Sequence, residues 1–248
     1  MHSNEKLILV VPSVNEAQNL KLLLPRICSA LTPCAVPYEV VVVDDESGDG
    51  TEDVVTTVAR AHPQVRFLER KGERGLAGAI LYGWQQSDAT ILGVMDADLQ
   101  HPPELLPELL REALKGKDVV LGSRYAKGGD VGVWNPFRRV LSVAAVWVTL
   151  PLQHSGLRVH DPMSGYFLVR RRCVEKVIFQ PNGFKLLLEI LVRGHVRSVR
   201  EVPFVFGRRR NGSSKACMKV AWEYLQLLAR LYAIRWGGKR AVEIAAGD

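Results

Sequence analysis

The sequence predicts an α/β fold with a mostly parallel central sheet, and three observations lead there. Short β-branched runs alternate with helical patterns from Leu7 to Leu121, as repeated strand–helix–strand units do. Polar residues gather where those runs end, at the edge where open α/β sheets bind ligands. The 248 residues are 47% hydrophobic and 24% charged, enough apolar material for one large α/β domain.

The first strand is Leu7 to Val11, closed by Pro12. Ser13 or Asn15 is placed to cap a helix carrying Leu20, Leu23, Leu24 and Ile27. Glu39 to Val43 is the second strand and runs into Asp44-Asp45-Glu46-Ser47-Gly48-Asp49-Gly50-Thr51. A helix over 52–61, a third strand over 65–68 and a basic loop with Arg70, Lys71 and Arg74 follow. Gly75 and Gly78 open the next helix and read as backbone packing at its start. Ile91 to Met95 is a buried fourth strand, Pro102-Pro103 starts a helix over 104–115, and Asp118 to Leu121 is the fifth strand. No Gly-x-Gly-x-x-Gly follows the first strand and the P-loop pattern is missing, which removes sequence support for a dinucleotide or P-loop site.

Beyond residue 122 the alternation stops. Residues 140–152 form an uncharged segment behind Arg138 and Arg139, too short to span a bilayer and suited to an interfacial or core helix. Helical character returns over 183–191, a strand over 199–206, and a tail helix over about 217–236. That helix sets Lys219, Glu223, Gln226 and Arg230 on one face and leaves a broad apolar remainder with Trp222 and Trp236. It fits either packing on the domain or lying in a membrane interface. Arg170, Arg171 and Arg172 read as surface or lipid-facing charge. The expected organisation is one domain over 1–215, including an amphipathic helix at about 137–152, then an amphipathic helix and tail over 216–248 with no transmembrane span.

Charge divides the chain. Residues 1–120 hold 11 basic and 18 acidic side chains, whereas residues 121–248 hold 22 and 8. A basic half suits nucleic acid, an anionic membrane or a phosphorylated substrate. Helix-turn-helix spacing, zinc ligands and aromatics interleaved on a basic face are all lacking, so no nucleic acid is expected. Cys28, Cys34, Cys173 and Cys217 show no metal-ligand spacing and read as reduced thiols. No charged-then-apolar leader precedes the first strand, which argues against secretion.

The stretch that ends the fourth strand carries the most chemistry. Asp96 and Asp98 are two apart, so in an extended segment they point the same way, and the amide of Gln100 follows. Two carboxylates and an amide suit a hard divalent cation that also takes phosphate oxygens and water. The same spacing serves turns and caps, and Asp44 with Asp45 is open to both readings: a cap for the next helix, or for Asp45 a bond to a base or ribose.

In series, Pro12-x-x-Asn15-Glu16, Asp44-Asp45-x-Ser47-x-Asp49-Gly50-Thr51, Asp96-Ala97-Asp98-Leu99-Gln100-His101-Pro102-Pro103 and Gly122-Ser123-Arg124 resemble family 2 glycosyltransferases. Asp161-Pro162-Met163-Ser164-Gly165-Tyr166-Phe167, Gly183 to Ile190, and Arg209 followed by Gly212-Ser213-Ser214-Lys215 narrow the resemblance to dolichyl (polyprenyl) phosphate mannosyltransferases, over residues 6–236. The resemblance implies a glycosyltransferase A (GT-A) fold with a single nucleotide-sugar-binding domain, Mg²⁺ or Mn²⁺, and inversion at the anomeric carbon. The implied donor is GDP-mannose, with a UDP-glucose type as the alternative. The implied acceptor is a polyprenyl phosphate, dolichyl or undecaprenyl, with a non-lipid glycan as the alternative.

Carried over by position, the resemblance gives the metal to Asp96, Asp98 and Gln100. It gives the nucleotide sugar to Pro12, Val14, Glu16, Val43, Asp45, Ala97, Asp98 and Leu99, with Lys185, Arg209 and Lys215 at its diphosphate. Arg124, Arg138 and Ser142 hold the acceptor phosphate and, with Asp98, make up the implied catalytic set. His101 receives no ligand role, and Arg208 and Arg210 fall outside the motif register. The family commonly has an aromatic residue where Val14 stands, so stacking on the base is not implied here. An oily acceptor places such an enzyme on a membrane surface, peripherally at the cytoplasmic face, by its own helices or through an anchoring partner.

Overall fold

The computed structural model describes residues 5–72, 74–132, 136–153, 156–179, 185–207 and 218–236; over 136–141 and 218–221 it describes the backbone. In chain order the first half runs β1 (Leu7–Ser13), α1 (Ala17–Leu31), β2 (Tyr38–Asp44), α2 (Thr51–Ala61), β3 (Val65–Glu69), α3 (Leu76–Gln85), β4 (Ile91–Val94), α4 (Leu106–Leu114) and β5 (Val119–Ser123). The second half runs α5 (Pro136–Thr149), β6 (Phe167–Arg170), α6 (Leu186–Arg193), β7 (Val199–Pro203) and α7 (Met218–Trp236).

The central strands β1 and β4, and Val40 to Val43 of β2, are apolar on both faces, so helices cover the sheet on both sides. Leu7, Leu9 and Val11 of β1 meet Leu20, Leu23, Leu24 and Ile27 of α1, while Ile8 and Val10 face Ile80 and Trp84 of α3. The seven strands lie in the order β3-β2-β1-β4-β6-β5-β7. All neighbouring pairs are parallel except those of β6, which is antiparallel to both β4 and β5. The chain steps outward from β1 to β3 and then returns to the other side of β1 with β4. Strand order therefore reverses between β1 and β4, and the crevice at their carboxyl ends is where such sheets take ligands.

The expected strands and helices of the first half are present, and β6 is the addition. Four residues, between a polar turn and two further arginines, carry no alternation for a sequence to show. Two of the arginines correct an expectation. Arg170 ends β6 opposite Ile91, at the amino edge of β4, and is buried with Glu5 (2.7 Å) and the Ala113 carbonyl (2.7 Å). Arg171 donates to the carbonyls of Ala89 (2.6 Å) and Ser87 (2.7 Å), and Arg172 pairs with Asp118 (2.8 Å). Arg170 and Arg171 are clamps at the sheet's amino edge rather than free charged surface, whereas Arg172 is exposed, as expected, and pairs with Asp118 from the surface. Ser13 and Asn15 likewise do not cap α1: Asp49, from the loop after β2, accepts from Ala17 N (2.9 Å) and from Thr51 N and Oγ1.

Helix α7 uses two apolar faces. Leu227, Leu228 and Leu231 pack on Leu152 and on Leu188 and Val192 of α6, and Arg230 reaches the buried Glu189 at 3.5 Å. Tyr224 donates to the Ala145 carbonyl and Tyr232 to the Val148 carbonyl, both at 2.6 Å, which ties α7 to the last turns of α5. Trp222, Leu225, Ala229, Ala233 and Trp236 follow a helical spacing on the outward side. Trp222 is 62% and Trp236 61% exposed, and Trp147 on the neighbouring α5 is 69% exposed beside Val143 and Leu150. Among the described residues, no helix is long and apolar enough to cross a membrane.

Candidate active site

Sharp turns after β1, β2 and β4 build the rim. Asn15, Glu46 and Leu99 take positive φ (56°, 57° and 62°), a conformation that non-glycine residues adopt at a cost and that concentrates at functional sites. The first two loops interlock: Asn15 N donates to Ser47 Oγ (2.6 Å), and Gly48 N donates to Asn15 Oδ1 (3.2 Å). Asp44 closes its own turn on Ser47 N and Oγ, both at 2.7 Å.

Asp45 is held differently. Arg70 extends β3 alongside β2, and its Nε and Nη2 fork onto Asp45 Oδ1 and Oδ2 at 2.8 Å each. Gly75 N, at the start of α3, adds a third bond at 2.9 Å. Both side chains are buried. The expected nucleotide pocket thus starts from a carboxylate whose oxygens are both engaged. Pro12 and Glu16 stand on the neighbouring rim, with Glu16 accepting from Asn19 Nδ2. Val43, by contrast, turns its side chain into the core beside Gly83, so only its backbone belongs to the rim.

After β4, Asp96 is partly exposed and Asp98 is buried, with Asp98 Oδ1 accepting from Gln100 N (3.1 Å). Gln100 Nε2 donates to the Gly207 carbonyl (3.0 Å), which orients the amide and leaves Oε1 as its acceptor end. Among the described residues, no cluster of three His, Cys, Asp or Glu could hold a metal by itself. Two carboxylates and an amide oxygen fit the open donor set that Mg²⁺ or Mn²⁺ completes with phosphate oxygens and water. His101 is buried among Tyr166, Phe204 and Phe206, with ring centroids 5.2–5.6 Å away. Burial, helped by the charges of Arg124 and Lys185, brings its pKa down to about 4 against the pull of Asp98 and Asp161, so the ring is neutral. Its Nδ1 lies 3.7 Å from Asp96 Oδ2.

Arg124, just past β5, sets the opposite wall. Its Nε and Nη2 fork onto the fully buried Asp161 at 2.7 Å each, and its guanidinium lies 5.3 Å from the Phe206 ring. The next residue, Tyr125, donates its hydroxyl to Ser142 Oγ (2.7 Å) and so draws α5 to the same corner. Arg138 stands one helical turn before Ser142 on α5, with its side chain outside the described residues. Lys185, at the start of α6, donates to the Met163 carbonyl (3.5 Å). Its pKa is lowered to about 8 by burial and then by Arg124, while Asp96 and Asp161 oppose the shift.

The structure therefore gathers Asp96, Asp98, Arg124 and Lys185 around His101, with Ser142 linked through Tyr125. Ala97 is buried beneath the rim, and Leu99 and Val14 are partly exposed on it. Arg209 and Lys215 lie outside the described residues. Sequence reasoning gave no role to Asp161, Arg70 or Tyr125. Asp161 and Gly165 stood within a quoted motif, whereas Arg70 was read only as part of a basic loop after the third strand.

Residues 8–178 match the family described as Glycosyl transferase family 2. The chain is 40% identical over 234 residues to the dolichol-phosphate mannosyltransferase of Pyrococcus furiosus, covering 94% of this chain and 65% of that protein, so it spans about two thirds of that relative. It is 38% identical to the Saccharomyces cerevisiae dolichol-phosphate mannosyltransferase, covering 94% of this chain and 89% of the relative. It is 33% identical to the Micrococcus luteus undecaprenyl-phosphate mannosyltransferase, covering 95% and 98%. The fold is shared with glucosyl-3-phosphoglycerate synthase from Mycobacterium tuberculosis in complex with Mn²⁺ and UDP (TM-score 0.64, 18% identity, 95% of this chain and 81% of that one). It is shared also with the mannosyltransferase PcManGT from Pyrobaculum calidifontis in complex with GDP-Man and Mn²⁺ (TM-score 0.58, 21% identity, 99% and 66%).

Proposed function

The chain belongs to glycosyl transferase family 2, has the GT-A fold and is a glycosyltransferase, and from that premise we propose that it transfers mannose from GDP-mannose to a polyprenyl phosphate at a membrane surface. One observation carries the proposal: at the β1–β4 crevice Asp96 and Asp98 flank the buried His101, and Asp96 stands within electrostatic range of Arg124 and Lys185. The names of the relatives support the lipid phosphate acceptor and the mannosyl donor. Mn²⁺ in two neighbours of the same fold, and GDP-Man in one of them, support the metal and the nucleotide.

Asp96, Asp98 and Gln100 would hold the cation, which supplies Lewis-acid neutralisation of the departing diphosphate. Lys185, with Arg209 and Lys215 assigned beside it, adds fixed positive charge where the leaving group gathers negative charge. Losing one such well-placed donor costs on the order of 100-fold in rate. Arg124, Arg138 and Ser142 receive the acceptor phosphate and steer it past its repulsion with the donor. A phosphomonoester has its second pKa near ~6 and is largely ionised at neutral pH, so its oxygen attacks the anomeric carbon without a general base. The nucleotide rim is Pro12, Val14, Glu16, the Val43 backbone, Asp45, Ala97 and Leu99. The domain over 1–215 does the chemistry. The outward apolar stripes of α5 and α7 sit in the lipid interface at the cytoplasmic face, and basic residues of the second half meet anionic headgroups.

The experiment supplies labelled GDP-mannose or UDP-glucose with Mn²⁺ or Mg²⁺ and dolichyl or undecaprenyl phosphate, then partitions the label. Organic-extractable label that depends on metal and comes from GDP-mannose is the expected result. Label found only in aqueous glycan would move the acceptor from lipid to sugar.

A further inference from the structure

The turn Asp161–Gly165 meets groups from three sides of the site. Asp161, fully buried, accepts from Arg124 through Nε, Nη2 and the backbone N (3.1 Å). The Met163 carbonyl accepts from Lys185. At Gly165 an added Cβ would lie 2.5 Å from Asp96 Oδ2 and 2.9 Å from both Asp96 Cγ and Oδ1. Those are its three nearest atoms, so the Asp96 carboxylate rests directly against the glycine. Gly165 is not among the positive-φ glycines, so backbone conformation does not call for a residue without a Cβ. The carboxylate does.

The turn is itself pinned. Ser164 Oγ donates to the Gly122 carbonyl on β5 (2.8 Å). Glu201 on β7 accepts from His160 N (3.0 Å) and Asp161 N (3.2 Å). A carboxylate fixed in this way presents one orientation to the guanidinium.

We propose that the Asp161–Gly165 turn is the positioning element of the site: Asp161 orients Arg124 toward the acceptor phosphate, and Gly165 seats the Asp96 carboxylate for the cation. The inference rests on the metal and acceptor roles given above. Neither residue touches the reacting atoms; each acts through its partner.

Gly165→Ala separates the metal arm. The nearest atoms are the end of a side chain that can turn away, so the variant keeps the wild-type circular dichroism and melting curve while Asp96 is displaced. Mn²⁺ affinity, measured by titration calorimetry on the full chain, falls by about 10- to 100-fold, the usual range for losing a partner that orients a ligand. Asp161→Asn separates the acceptor arm: the KM for undecaprenyl phosphate in micelles rises by about tenfold or more, as for loss of a charged fork, while the Mn²⁺ Kd and donor KM hold. In an Arg124→Ala background the same substitution adds nothing further. If Asp161→Asn does not fold, Asp161→Glu, which keeps the charge and shifts the fork, takes the same KM test. Unchanged Mn²⁺ binding in Gly165→Ala, or additive effects of the Asp161 and Arg124 substitutions, would overturn the positioning role alone. A wild-type protein that binds no Mn²⁺ and transfers no mannose would overturn the site assignment beneath it.

Discussion

Replacing Arg70 with Met strips Asp45 of both arms of its guanidinium fork and leaves it with the single Gly75 N–H bond. Asp45 is 5% exposed, so water cannot take the place of the lost partner. Removing one member of a buried ion pair costs about 3–5 kcal/mol, because an uncompensated charge stays behind. At about 2–4 °C per kcal/mol for a chain of this size, that is a fall in Tm of about 6–20 °C. The intact pair is worth much less than this, since its attraction is largely offset by desolvation. The double variant Arg70→Met/Asp45→Leu should therefore recover most of the loss. Thermal melting of the four members of the cycle reads the stability, and calorimetric titration with GDP reads the pocket. An Arg70→Met protein that melts with the wild type would refute the claim that Arg70 holds Asp45. So would a double variant as unstable as the single one.

Lys185 gives a pH signature. Its ammonium loses a proton as pH rises through about 8, so kcat/KM for the nucleotide sugar falls on the alkaline side, and Lys185→Arg removes that limb. A wild-type profile flat through the alkaline range counts against the assignment. Trp147→Asp with Trp222→Asp removes two exposed rings, each worth about 1.5–3 kcal/mol when buried in an apolar medium, so cosedimentation with anionic vesicles should drop at least about tenfold. Binding at wild-type strength would place the membrane face elsewhere. Arg138→Ala should raise the acceptor KM and spare the donor KM. The reverse pattern would mean that the division of labour along α5 is wrong.

The alternation of strands and helices through β5 was legible because buried parallel strands need apolar side chains on both faces, and Val40 to Val43 or Ile91 to Val94 can show little else. The carboxylates of the β4 rim were legible for the opposite reason: polar residues interrupt an apolar run where the chain leaves the sheet. β6 was hidden by its brevity, and Arg170 and Arg171 were misread because charge alone does not say whether Glu5 or a row of carbonyls waits across the fold. The tail helix was read as packing or facing lipid, and the structure has it packed on one apolar face with a second turned outward. Arg230, read from its spacing as part of a polar face, turns inward to Glu189, a partner 41 positions away that no local pattern reveals. Asp161 and Gly165 escaped for a related reason: their meaning lies in Arg124 and Asp96, which only the folded chain brings beside them.

The most direct measurement is a crystal soaked with Mn²⁺ and GDP-mannose, with anomalous data collected at the manganese edge. If cation and basic side chains gather the departing diphosphate at the sheet's rim, one anomalous peak appears at about 2.0–2.2 Å, the spacing of a compact octahedral cation, from carboxylate oxygens of Asp96 or Asp98 and from oxygens of the nucleotide's phosphates. Nucleotide bound with its phosphates away from β4, or manganese seated apart from both aspartates, would contradict it.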